Sequence, residues 1–279
     1  MRHSTGRLHA SFGILALATA SLAPQCALAA DDAELAKQLA NPIGSLISVP
    51  FQFNYDQGQG PTNGQKLMMN VQPVIPFALS EEWTLITRTI VPVAWQNDIA
   101  GNSGTQFGLG DTLASAWLSP KSTETSIGAL TWGIGPSATF ATSTDRRLGS
   151  GTWGLGPTAI ALVQNKVGSG TMTLGALVNQ QWGVAKTRSN QPDLNNTLLQ
   201  PFLAYTTDTA WTYSLNTESS YNWTSSEWAV PINLSVSKLV SLGSQKAQIE
   251  AGVGYWAVSP TNGPTGIRGR LAVTFLFPE

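Results

Sequence analysis

Histidine, cysteine and charge are all scarce in this 279-residue chain, which has two histidines, one cysteine and 11% charged residues. His3, His9 and Cys26 all fall in the first thirty positions, and that stretch reads as a secretory signal. "MRHSTGRLHA" carries Arg2 and Arg7, an apolar run follows from Phe12 to Ala23, and "ALAA" places small residues at Ala27, Ala29 and Ala30. Cleavage after Ala29 is expected, making 1–29 the signal peptide. A lipoprotein reading through Cys26 is disfavoured by Pro24 and Gln25, where small residues are wanted. The expected mature chain has no imidazole to activate a serine and no thiol to attack or form a disulfide. It also lacks the common His/Cys metal sites. No catalytic residue, cofactor or metal is expected. Losing Arg2 and Arg7 takes the formal charge from −1 to −3; a balance so near neutral gives no reason to expect a nucleic acid as partner. Long apolar runs are missing too. No stretch beyond the signal approaches the roughly 18 residues of a membrane helix, although charge is far below the soluble norm of about 25%.

What is present is alternation. "DDAELAKQLANP" opens with a short helical pattern, Leu35 and Leu39 on one side and Pro42 as the stop. From Ile47 the period becomes two. Ile47, Val49, Phe51, Phe53 and Tyr55 oppose Ser48, Pro50, Gln52 and Asn54; Trp228, Ile232, Leu234 and Val236 oppose Pro231, Asn233, Ser235 and Ser237. In the closing "RGRLAVTFLFPE", Leu271, Val273 and Phe275 oppose Arg268, Arg270, Ala272 and Thr274. Similar ribbons recur near 67–75, 174–181, 211–221 and 248–255. Stretches near 83–93, 108–118, 127–140, 152–164 and 196–206 are mixed. About twelve strands of roughly ten residues fit the chain, an even number and a length that crosses a bilayer at a tilt. Long connections ("NDIAGNSGTQ", "ATSTDRRLGSG", "VAKTRSNQPDLN") alternate with short ones ("ALSEE", "NKVGSG", "TTDT"). Trp83, Trp117, Tyr205 and Trp211 lie near the short turns. Tyr55, Trp95, Trp182, Tyr221, Trp223, Trp228 and Tyr255 lie near the long loops. Two aromatic girdles are therefore expected.

Charges within the ribbons are the candidate functional residues. Arg88, Glu218, Glu250, Arg268 and Arg270 take the polar face; turning an arginine to the bilayer midplane costs about 2–4 kcal/mol. They are expected to line a lumen, as a selecting constriction or as a brace between wall strands. Asp111, in "FGLGD", takes the parity of Leu109 and Leu113, which points to a register slip there. "GLGD", "GIGP" and "GLGP" are not phosphate loops, because no helix follows any of them. The helical pattern at 33–40 is expected to be a leader before the first strand rather than a plug.

Taken together, "NPIGSLISVPFQFNYD", "NVQPVIPF", "LITRTIVPV", "FGLGD", "WGLGPTA", "LNTESSYNW", "WAVPINLSVSKL" and "VTFLFP" resemble a bacterial family of outer-membrane transporters. That family is catalogued with the "MetA-pathway of phenol degradation" proteins. The resemblance covers nearly the whole expected mature chain and implies passage of small solutes, aromatic compounds among them. It supplies no site residues. The expected architecture is a signal peptide (1–29), a periplasmic leader with a short helix (30–44) and an all-β, antiparallel transmembrane barrel of about twelve strands (45–279). The expected location is the outer membrane, and the expected function passive diffusion of small solutes. The partners would be outer-membrane lipid, the solute, and the assembly machinery during biogenesis. The alternatives are a structural or adhesive barrel with a closed lumen, an enzyme built on Glu218 and Glu250, and a secreted β-sandwich.

Overall fold

The computed structural model describes residues 32–187 and 193–277. The signal peptide, its cleavage point and the two terminal residues lie outside the described residues, as does part of the loop after Lys186. The strands are β1 (Ile47–Gln59), β2 (Gly64–Val71, continuing as Val74–Ala78), β3 (Trp83–Asn97) and β4 (Thr105–Leu109, Thr112–Pro120 and Thr123–Thr125). Then come β5 (Gly128–Phe140), β6 (Thr152–Val167), β7 (Gly170–Lys186), β8 (Asn195–Thr206) and β9 (Trp211–Thr217 and Ser219–Asn222). The last three are β10 (Glu227–Leu242), β11 (Gln245–Val258) and β12 (Ile267–Phe277). Each pairs antiparallel with its sequence neighbours, and β12 returns to β1, with Val273 opposite Phe51. The sheet therefore closes on itself and leaves no free edge.

Most strands run longer than the expected ten residues, up to seventeen in β7. About nine to eleven residues cross a hydrocarbon core at a tilt, so the surplus projects beyond it. Turns at 79–82, 126–127, 168–169, 207–210 and 243–244 are short, whereas 98–104, 141–151, 187–194 and 259–266 are longer. The "DQGQGPTNGQ" connection tightens to 60–63, because β1 and β2 stay paired out to Gln59 opposite Gly64.

The outer surface carries the apolar half of every ribbon. Leu174, Leu234, Val253 and Leu271 are more than half exposed, while Asn179, Asn233 and Ser237 on the inner face are buried. An aqueous protein would bury the first set against a second layer; here they face outward around the whole ring. Trp83 packs edge-on against Trp132 at 6.4 Å near the short turns, and Trp211 sits beneath Lys238 there. Tyr221 with Trp223 and Trp228, and Phe140 with Trp153, occupy the long-loop rim. Trp117 is a correction to the expected girdle. It is 1% exposed and points inward, because the strand shifts register at Gly110–Asp111. Gln106 is inward before that break; Ser115, Trp117 and Ser119 are inward after it. The slip expected at Asp111 is present.

The interior also holds a segment of the chain itself. A helix, α1, spans 32–39, and the turn after it is closed by Asn41, whose Oδ1 accepts the Ile43 amide at 3.1 Å. Ala36 is fully buried against Leu46, Ala210, Leu239 and Leu276 on one side of the wall. Ile43 is buried against Ile86, Trp117, Ile160, Leu162 and Leu177 on the other. Burial of one such isoleucine is worth about 1.5–3 kcal/mol. Gln164 Nε2 donates to the Lys37 carbonyl at 3.0 Å, and Lys246 Nζ reaches Asp32 Oδ1 at 2.6 Å. The segment is seated inside the short-turn half of the barrel, in contact with both sides of the wall.

Candidate functional site

Above α1, the inner face of β12 and its neighbours carries an ionic network. Period-two alternation on β12 sends Arg268 and Arg270 inward. The same parity on β1 sends Asn54 and Asp56 inward, where Asp56 is the residue that sequence reading missed. It opens "DQGQGPTNGQ", which reads as a connection, although the Ser48–Asn54 alternation extended by two positions includes it. Arg268 Nη2 donates to Asp56 Oδ2 at 3.2 Å. Its Nε lies 3.1 Å from Oδ1, close enough for an ion pair but not aligned for a hydrogen bond. Trp256 Nε1 donates to the same Oδ1 at 2.7 Å, and its ring lies 5.0 Å beneath the Arg268 guanidinium.

Glu218 reaches this group from β9. Its Oε1 accepts from Arg270 Nη2 at 2.8 Å, and its Oε2 lies 3.7 Å from Arg268 Nη1. Arg270 Nε donates to Asn54 Oδ1 at 2.8 Å. Because β9 and β12 are separated by β10 and β11, the Glu218 contacts form a chord across the lumen rather than a ladder along the wall. Arg268, Arg270 and Asp56 are each buried, and buried charges are tolerated only when paired in this way.

The remaining two candidates form no ion pair with that chord among the described residues. Arg88, on β3, lies with its guanidinium 5.2 Å over the Trp117 ring, and its buried Nε has no hydrogen-bond partner among the described residues. Glu250, on β11, interacts with Ser235 and with the charge of Arg270, but belongs to none of the ion pairs among the described residues. Arg88 and Glu250 line one cavity of about 220 Å³ between the turn after α1 and the barrel wall. All five candidate residues therefore lie inside the ring. Four of them surround its β9–β12 side, and Arg88 approaches from β3.

A second polar cluster occupies the β3–β7 side. Gln96 Nε2 donates to Gln106 Oε1 at 3.2 Å and to the Arg147 carbonyl at 3.0 Å. Gln181 Nε2 donates to Asn179 Oδ1 at 2.9 Å. The loop 141–151 folds back into the mouth, with Leu148 buried and Thr144 against Gly108. A Cβ on Gly108 would stand 2.0 Å from Thr144 Oγ1, so only glycine lets the loop approach this closely. Asp111 holds the loop: its Oδ1 accepts from the Ser143 amide, and its Oδ2 from the Ser150 amide, the Ser150 hydroxyl and the Gly151 amide. Among the described residues, no cluster of three metal-binding side chains occurs.

A closed twelve-stranded ring with an oily exterior and an ionic interior is a transmembrane β-barrel of the outer-membrane type. In keeping with that, the chain is similar in structure to the COG4313 outer membrane channel from Pseudomonas putida F1. The TM-score is 0.62 at 13% identity, covering 84% of this chain and 96% of that one. It also resembles, more loosely, the translocator domain of the autotransporter NalP from Neisseria meningitidis (TM-score 0.48, 11% identity, 91% and 96% covered). The KdgM porin gives a TM-score of 0.42 at 12% identity, with 83% and 99% covered. No family model and no curated protein matches the sequence.

Proposed function

We propose that the chain is an outer-membrane channel for passive diffusion of small solutes. In this reading the short turns face the periplasm and the long loops the exterior. Solutes pass loop 141–151, then the Glu218–Arg270 chord, then the segment 32–46. The observation that carries the reading is the chord itself. A barrel needing only a filled centre would use apolar or neutral side chains, because pairing charges inside a wall gives little net stability. Opposed arginines and carboxylates across a lumen instead sort solutes by charge and hydrogen bonding. The passage of aromatic compounds, implied by the sequence resemblance, is the finer form of the same proposal.

Reconstitution into planar bilayers tests it. Discrete conductance steps are expected from the whole protein, with larger steps once 32–44 are deleted. Liposome flux of charged, sugar-like and aromatic solutes would then rank the cargo. One observation favours a second reading, that of a closed structural barrel: α1 and the turn after it touch both sides of the wall, through Ala36 and Ile43 respectively. No conductance from either the whole or the deleted protein, with both correctly folded, would favour that reading.

A further inference from the structure

The inward charges divide into two sets. Asp56, Arg268, Arg270 and Glu218 satisfy one another through contacts of 2.8–3.7 Å. Arg88 and Glu250 are left out of that set, carry opposite signs and line the same cavity. Arg88 offers an unpartnered, buried Nε, and Trp117 occupies a face of its guanidinium, which leaves the in-plane edge, where the N–H donors lie, for a ligand. Glu250 is in none of the ion pairs among the described residues; Ser235 takes one acceptor position and the Arg270 charge acts on it without direct pairing, which leaves its other acceptor positions open. Gln52, Gln72, Gln200 and Gln248 share the lining with Leu39, Leu46 and Val74 among others. A carboxamide both donates and accepts, so these four side chains can meet either end of a polar molecule.

We propose that this cavity is a subsite for a small zwitterion, a molecule bearing a carboxylate and an ammonium group on one or neighbouring carbons. The carboxylate pairs with the edge of Arg88 and the ammonium group with Glu250. A simple anion meets Arg88 but is repelled by Glu250, and a simple cation meets the reverse; a neutral solute leaves both charges unpaired. Only a dipolar ligand matches both, and charge-assisted pairs of this kind are the stronger hydrogen bonds. The two residues stand four strand spacings apart around the wall, an arc of roughly 19 Å at about 4.8 Å per strand. They therefore approach the cavity from different sides. A volume of about 220 Å³ exceeds the roughly 150 Å³ that admits benzene, so a small amino acid fits with room to spare. The proposal names a solute class for the channel reading and relies on it only for how the solute arrives.

The test is calorimetric titration of the full chain in detergent with L-alanine, acetate, methylammonium and glucose. Alanine is expected to bind at least tenfold more tightly than the other three. Arg88→Gln and Glu250→Gln should each weaken alanine binding tenfold or more, and Glu250→Gln should strengthen acetate binding several-fold. The heat-dependent shift in gel mobility that marks a folded barrel selects the variants to be read. If a variant does not fold, the ranking of the four probes on the unaltered protein decides alone. Equal binding of alanine and acetate, or no alanine binding, overturns the proposal. Conductance without alanine binding sinks this subsite and leaves the channel standing; binding without conductance does the opposite.

Discussion

Asp56 is the hinge of the paired network, since it meets Arg268 along one edge and takes the Trp256 indole N–H as well. Asp56→Asn keeps the shape but leaves the buried Arg268 guanidinium with only Glu218, 3.7 Å away and shared with Arg270, as counter-charge. Loss of one partner from a buried pair costs about 3–5 kcal/mol, so the variant is expected to lose its folded-form gel band at markedly lower temperature. Glu218 is less buried and serves two arginines, and its removal should show in selectivity before stability. Glu218→Gln is expected to move the reversal potential in a salt gradient towards anion preference, because Arg268 keeps Asp56 while the charge of Arg270 loses its ion-pair partner. Unchanged selectivity would leave only a bracing role. The inward placement of Arg88, Glu218, Glu250, Arg268 and Arg270 was legible from alternation together with the cost of charge in hydrocarbon. Which of them pair was not legible, because alternation gives a face and says nothing about distance across a ring. Trp117 was misread for a related reason: its place near a short turn is that of a girdle residue, and the bulge at Gly110–Asp111 reverses its face.

Elements explain where the sequence was blurred. The mixed stretches near 83–93, 108–118, 152–164 and 196–206 contribute Ile86, Trp117, Ile160, Leu162 and Phe202, all turned inward and packed at or against the Ile43 cluster. A strand with apolar residues on both faces loses its period-two signature, and these strands have such faces because the inserted segment needs an oily seat. The same contacts make a prediction. Ile43→Ser removes the apolar anchor and is expected to increase single-channel conductance, with proteolytic cleavage near Pro42 becoming faster in folded protein. A parallel argument applies to the outer loop. Asp111→Ala strips four hydrogen bonds from Ser143, Ser150 and Gly151. Faster amide exchange across 141–151 is the expected result, with the strand amides of β5 and β6 unchanged. A loop that stayed equally protected would show that its grip comes from Leu148 packing instead.

At the scale of the molecule, the strand number, the closure of β1 on β12 and the turn asymmetry all follow from a repeating pattern, and repetition is what a single sequence displays best. The inserted segment is the opposite case: one short helix with Leu35 and Leu39 reads alike whether it lies outside a barrel or within one. What the whole account rests on is the inversion of inside and outside. Cleavage after Ala29 would leave no cysteine in the mature chain, so single probes can be introduced without background. Adjacent β10 positions, Leu234→Cys and Asn233→Cys, would be spin-labelled in liposome-embedded protein and compared for relaxation by dissolved oxygen and by a water-soluble nickel complex. The account predicts oxygen dominance at 234 and nickel dominance or mutual shielding at 233. Water-like accessibility at 234, or oxygen dominance at 233, would contradict it.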